Sequence, residues 1–197
     1  LDMSDKLKAD LTKLKVEVRW HEDMWGVIKN ATMTTIGKDK GKYPDSEWKR
    51  KMLMGEHSPI RIGCFLIKIY NCPQFVHGHL VRHQMGITPF ISTLRSDRNN
   101  YDDIPNRYTL QDGEYYLSFQ AIINISRKRL CNCASAETRY VWKKVLEAIK
   151  EFEPELYDVC VPQCVRNAHC YEVFPCGYST TKSFEKALQE YRKGVNE

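Results

Sequence analysis

The sequence predicts an α+β fold, with a few strands beside several long helices. Three observations carry that expectation. "LKVEVRW" and "IRIGCFLIKIY" have the β-branched, alternating or continuously apolar character of strands. Longer stretches, above all "ETRYVWKKVLEAIKEF", repeat apolar residues at helical spacing. Polar, turn-rich segments separate them, and no internal repeat or low-complexity tract is visible.

The elements follow in order. Leu14–Trp20 alternates as a half-buried strand does, while Leu7, Leu11 and Leu14 also fit a helix face, which leaves its start open. Glu22–Thr35 reads as a short helix and Gly37–Asp45 as a polar turn or loop. Ser46 is the expected cap of a helix that closes at Gly55. Ile60–Tyr70 reads as a buried strand. Pro73 suits the first turn of a helix from Phe75 to about Met85, with Gly86 ending it. Arg95–Glu114 reads as a polar loop. Helices are expected over Glu114–Leu130 and Glu137–Phe152, the second with Val141, Val145, Ile149 and Phe152 along one stripe. A cysteine-rich segment comes next, then an amphipathic helix near Ser183–Arg192. Residues 1–155 are expected to form one α+β domain, with 156–197 a cysteine-rich C-terminal extension packing on it.

Composition narrows the function. Of 197 residues, 42% are hydrophobic and 28% charged, as in an ordinary globular domain. No run approaches the ~20 apolar residues of a membrane helix. "LDMSDKLKADLTKLK" lacks an apolar signal core, so a cytoplasmic protein is expected, or a viral one acting in its host's cytoplasm. Thirty basic residues face 25 acidic ones, and the net charge of +5 suits a phosphorylated ligand better than a nucleic acid.

"FVHGHLVRHQ" (Phe75–Gln84) gathers three histidines and an arginine among apolar residues. On the expected helix His79, Arg82 and His83 stand at i, i+3 and i+4 and share a face. Arg82 offers a planar fork of donors for phosphate, and His83 can donate, accept or stack. A solvated helix face is the plain alternative. A metal pair at His79 and His83 is the weaker one, since no zincin-like carboxylate accompanies it.

The surrounding residues resemble the flavin-dependent thymidylate synthases. That family's signature runs Arg-His-Arg, two residues, Ser, one, Asn-Glu, one, Ser, one, Arg-Tyr. Here it is "RHQMGITPFISTLRSDR", with Arg82, His83 and Ser92 in register. Gln84 replaces the second arginine, Ile87 the first serine and Pro89-Phe90 the Asn-Glu pair; Leu94 stands at the later arginine, with Arg95 one place on. Segment order adds to the likeness. "VIKNATMTT", "GEHSPI", "FLIKIYNCPQFVHGHLVRH", "FQAIINISRKRL" with Asn124, and "AETRYVWKKVLEAI" follow the family's sequence of elements over roughly residues 14–152.

The resemblance implies a mixed sheet flanked by long helices, a homotetramer, and FAD at subunit interfaces. It implies NADPH and methylenetetrahydrofolate as co-substrates and transfer of a one-carbon unit to C5 of a pyrimidine deoxynucleotide, dUMP first. Residue by residue, it implies flavin contacts for His79, Arg82, His83, Gln84, Asn124 and Arg127. Ser92 and Arg95 would act at the nucleotide, with Arg95, Arg98 and Arg129 on its phosphate. Phe90 in place of glutamate, and "CNCAS" where the family has a substrate arginine, point to an altered pocket. Hydroxymethylation of dUMP or dCMP on the same fold is therefore an alternative. "SRKRL" (Ser126–Leu130) reads equally well as a solvated basic turn.

Of the eight cysteines, Cys64, Cys72, Cys131 and Cys133 sit in apolar contexts and read as small core residues. "CVPQCVRNAHCYEVFPCGY" spaces Cys160, Cys164, Cys170 and Cys176 within 17 residues. Four thiolates would suit a structural zinc; a thiol-rich packing segment is the plain alternative, and an Fe–S cluster has no better spacing support. Two other functions compete with the flavoenzyme. One is a small zinc-containing nucleic-acid-binding protein using "SRKRL" and "RSDR". The other is a metal-dependent hydrolase built on His77, His79 and His83.

Overall fold

The computed structural model describes residues 8–20, 23–39, 41–99 and 104–193. Four strands form one sheet in the order β1-β2-β4-β3: β1 (Lys15–Trp20), β2 (Cys64–Pro73), β3 (Ile87–Ile91) and β4 (Leu110–Ser118). All three pairings are antiparallel, where a mixed sheet was expected. The α+β class and the flanking helices are as expected.

The pleat of β2 explains the layering. Phe65, Ile67 and Ile69 point to the core, while Leu66, Lys68 and Tyr70 turn to the other face. Tyr115 and Leu117 of β4 join the inner set. Against it lie α5 (Phe119–Arg129), through Ile122 and Ile125, and α6 (Ala136–Lys150), through Trp142, Val145 and Ile149. Ser118 caps α5 by accepting from the Ala121 N–H, and Ser135 caps α6 at Thr138. A bulge between Ile69 and Cys72 puts Asn71 at φ +53°, held by the Asp112 carboxylate.

The remaining helices close the core. α1 (Met24–Thr35) inserts Trp25, whose indole donates to buried Glu153 at 2.7 Å. α2 (Ser46–Met54) is capped by Asp45 rather than Ser46: the Asp45 carboxylate accepts from the Trp48 N–H. α7 (Pro154–Val159), α8 (Gln163–Asn167) and α9 (Lys182–Arg192) add Val159, Val165, Phe184 and Tyr191 to the same core. No described helix is long and apolar enough to cross a membrane. The stripe on α6 holds for Val141, Val145 and Ile149; Phe152 lies beyond the helix and is exposed.

Several expectations are corrected. Ile60 and Arg61 belong to a short 3-10 turn (Ser58–Arg61), and the strand begins only at Cys64. Glu114–Ser118 is strand, not helix, and Leu110–Gly113, expected as loop, belongs to the same strand. The histidine helix, α3 (Gln74–Leu80), stops five residues early, with Pro73 ending β2. Gly86, at φ +73°, turns the chain into β3 instead of ending a helix. The short helix α4 (Ser96–Asn99) interrupts the polar loop.

Candidate functional site

Because α3 ends at Leu80, His79, Arg82 and His83 do not share a helix face. They meet instead around Arg129, at the end of α5. The Arg129 guanidinium donates to the His79 carbonyl at 2.6 Å and to His83 Nε2 at 3.0 Å. His79 Nδ1 contacts Thr138 Oγ1 at 2.7 Å. Arg82 is exposed, yet close enough for its charge to disfavour protonation of His79. Burial, then Arg129, pulls His83 down to about 4, so its ring is a neutral acceptor near neutral pH. His79 is lowered by burial and by Arg129, Arg82 and Arg107. Among the described residues neither Arg82 nor Arg129 has a carboxylate partner.

A second group lies on another side of α5. A cavity of about 600 Å³ opens where β3 and β4 meet α5, lined by Arg61, Gly86, Tyr116, Gln120 and Asn124, with Glu56 at its wall. Glu56 sits at φ +49°, a conformation unusual for a side-chain-bearing residue. Three donors hold its carboxylate: Gln120 Nε2 at 2.7 Å, the Arg166 guanidinium at 2.7 Å, and Arg127. Burial alone would raise this carboxyl; the three donors outweigh it and lower the group. Asn124 Oδ1 accepts from Arg127 at 3.1 Å and from Gln120 at 3.3 Å. Arg127 Nε is buried without a partner.

The other expected residues lie at the free edge of the sheet. Ser92 continues the β3–β4 pairing: its N–H donates to Asp112 O, and its hydroxyl accepts from the Asp112 N–H. Arg95 is exposed and paired with Asp97 at 2.6 Å. Arg98 and Gln84 are exposed. Among the described residues no hydrogen bond or ion pair joins Ser92, Arg95 or Arg98 to the Arg129 or Glu56 groups.

The metal expectations fare differently from the nucleotide ones. His77 is buried, with Nδ1 on the Tyr115 hydroxyl and Nε2 on the Gln111 carbonyl. It thus faces away from His79 and His83, and a three-histidine metal site is overturned. Cys160 is buried against Ser126, apart from the other thiols. Among the described residues no three metal-ligating side chains stand at metal-binding spacing, so Cys160, Cys164, Cys170 and Cys176 do not form the expected cage. Cys64 and Cys72 are core residues as expected, whereas Cys131 is half-buried and Cys133 exposed.

Sequence reasoning did not single out Glu56, Arg61, Tyr116, Gln120 or Arg166. "GEHSPI" marked the right turn, but Arg166 lies 110 residues from Glu56 and no spacing rule links them.

No family model and no curated protein matches the sequence. Solved structures do match in shape. Thymidylate synthase X from Helicobacter pylori, with FAD and dUMP, superposes with a TM-score of 0.64 at 12% identity, over 75% of this chain and 99% of that one. The UMP/dUMP methylase PolB from Streptomyces cacaoi, bound with 5-Br dUMP, gives 0.59 at 13% identity, over 78% and 96%. The chain has the fold of the flavin-dependent thymidylate synthases. Its match takes in nearly the whole of each such synthase or methylase, so the shared fold is complete and this chain's surplus lies outside it.

Proposed function

We propose that this protein is a flavin-dependent enzyme that adds a one-carbon unit to C5 of a pyrimidine nucleotide, dUMP first. The observation that carries the reading is the near-complete match to structures holding FAD and dUMP, or a dUMP analogue, in a chain whose β4–α5 junction opens a nucleotide-sized cavity.

The donor set fits a dinucleotide cofactor. Arg82 and Arg129, adjacent and without a carboxylate among the described residues, suit a diphosphate. Neutral His83 keeps the Arg129 fork aimed and leaves both positive charges for the anion. Through Thr138, His79 fixes the edge of that cradle. A reduced flavin held there would supply the hydride that completes the transferred group. Asn124, held by Arg127, and Gln120, held by Glu56 and Asn124, would present amide groups to the polar edge of a pyrimidine. Arg61, on the cavity wall, is placed to meet the nucleotide phosphate. Tyr116 and Ile87 line the cavity and would flank a bound base.

Ser92, Arg95 and Arg98 sit at an open sheet edge, and in the proposed homotetramer they would complete a neighbour's site. Methylenetetrahydrofolate is the proposed donor and NADPH the reductant. Phe90, exposed on β3, stands where the family carries a glutamate, which keeps hydroxymethylation as the second product class.

The test is tritium release from 5-³H-labelled dUMP, dCMP and UMP with FAD, NADPH and methylenetetrahydrofolate, with product mass read in parallel. Release from dUMP with a 5-methyl product is expected. No release from any of the three overturns the reading.

A further inference from the structure

Five of the eight cysteines converge outside the nucleotide site. Cys131 and Cys133 lie in the turn between α5 and α6, Cys164 on α8, and Cys170 and Cys176 in the irregular segment before the final 3-10 turn (Tyr178–Thr180). Besides burial, the larger cause, the thiols of Cys131 and Cys176 stand close enough to Cys133 to disfavour its ionisation. Cys164 borders the same cavity as Cys131 and Cys170. That cavity, of about 360 Å³, opens among Cys131, Cys164, Cys170 and Cys176, with Lys128 and Lys143 on its wall.

The segment that delivers Cys170 and Cys176 poses a stability problem. Tyr171, Val173 and Phe174 are 74%, 85% and 86% exposed, so apolar burial does little to hold it. Its side-chain ties to the α5–α6 region include the exposed Lys128–Glu172 pair at 3.1 Å and the Cys133 thiol on the Phe174 carbonyl at 3.6 Å. Exposed pairs of this kind contribute little. A cross-link through the thiols would anchor it.

We propose that Cys131, Cys133 and Cys176, with a fourth thiolate from Cys164 or Cys170, hold one divalent cation of the zinc class in a structural site. Tetrahedral thiolates at ~2.3 Å from zinc stand about 3.8 Å from one another. Cys131, Cys164, Cys170 and Cys176 already border one cavity. Among the described residues no three ligands are gathered on one point, so a bound cation would draw the loop thiols inward. Lys128 and Lys143 offset the negative charge of four thiolates around one dication. The site is closed to substrate because all four positions are filled by protein. It differs from the cage read from the C-terminal spacing: the α5–α6 turn supplies two ligands and Cys160 none.

The full-length protein, purified with reductant and then stripped by a chelator, is titrated with Co²⁺ and separately with Zn²⁺. Expected are about one equivalent per chain and the intense thiolate-to-cobalt charge-transfer band of a tetrahedral site. Cys133→Ser and Cys176→Ser, both at exposed positions where folding is not at risk, should abolish that band, and Cys160→Ser should retain it. A wild-type chain that binds neither ion overturns the proposal. So does a band that survives both serine substitutions, or a Cys133–Cys176 disulfide found in metal-free protein purified without reductant.

Discussion

His83 shows what burial beside a guanidinium does to a single residue. Its ring is held neutral by burial and by Arg129, and His77 and His79 are lowered by burial as well. For a histidine whose folded value is depressed, the unfolded chain takes up the proton first. Stability is therefore full above the ordinary value near 6.5 and is lost as pH falls from 6.5 towards about 4. Glu153, raised by burial, works in the opposite direction, but as one carboxyl against three histidines. Urea midpoints should fall across that window, and His83→Gln, which keeps an acceptor for Arg129, should flatten the fall; an unchanged slope would show that His83 does not contribute. Glu56 carries a second residue-scale prediction. Glu56→Gln leaves Arg127, only 15% exposed, without its counter-charge and should cost about 2 kcal/mol in chemical unfolding. A loss under about 0.5 kcal/mol would place the pair with ordinary surface bridges.

At the scale of elements, Gly86 is the hinge between α3 and the sheet. Its φ is +73°, and a Cβ there would meet Ser118 Oγ at 2.3 Å. Ser118 is also the cap of α5, so Gly86→Ala combines backbone strain with a displaced cap. A loss of about 2–3 kcal/mol is expected in thermal unfolding, together with weaker nucleotide binding at the adjoining cavity. A neutral effect on both would mean that the turn re-forms elsewhere. The same element explains where sequence reading stopped. β1, α1, α2, α6 and α9 were legible because each has a period or a cap signal of its own. β3 was not: "ITPFI" contains a proline and is exposed over most of its length, so neither composition nor alternation marks it. The second half of β4 was absorbed into the next helix because Tyr115, Leu117, Phe119 and Ile122 make one apolar run across the junction. α3 was drawn too long because Gly86 resembles a helix end, while the positive φ it supplies serves a turn.

For the molecule as a whole, the order of elements was more legible than the site. The segments running from "VIKNATMTT" to "AETRYVWKKVLEAI" carried the fold, and the structures that match it span it almost end to end. The site was legible only in part, because its key contacts join distant segments: Arg129 with His79 and His83, and Arg166 with Glu56. Both expected histidines and the arginine at 82 do gather, but around a partner that local spacing could not name. The central claim is that this gathering is a cradle for a flavin dinucleotide. Arg129→Ala should reduce flavin occupancy more than Arg82→Ala, since Arg129 also orients both histidines. The most direct measurement is flavin titration of the purified full-length protein, followed by absorbance near ~450 nm and mass spectrometry of released small molecules. The account predicts about one FAD per chain, a spectrum that shifts on adding dUMP, and loss of both in Arg129→Ala; a folded wild-type chain that stays colourless and takes up no FAD would contradict it.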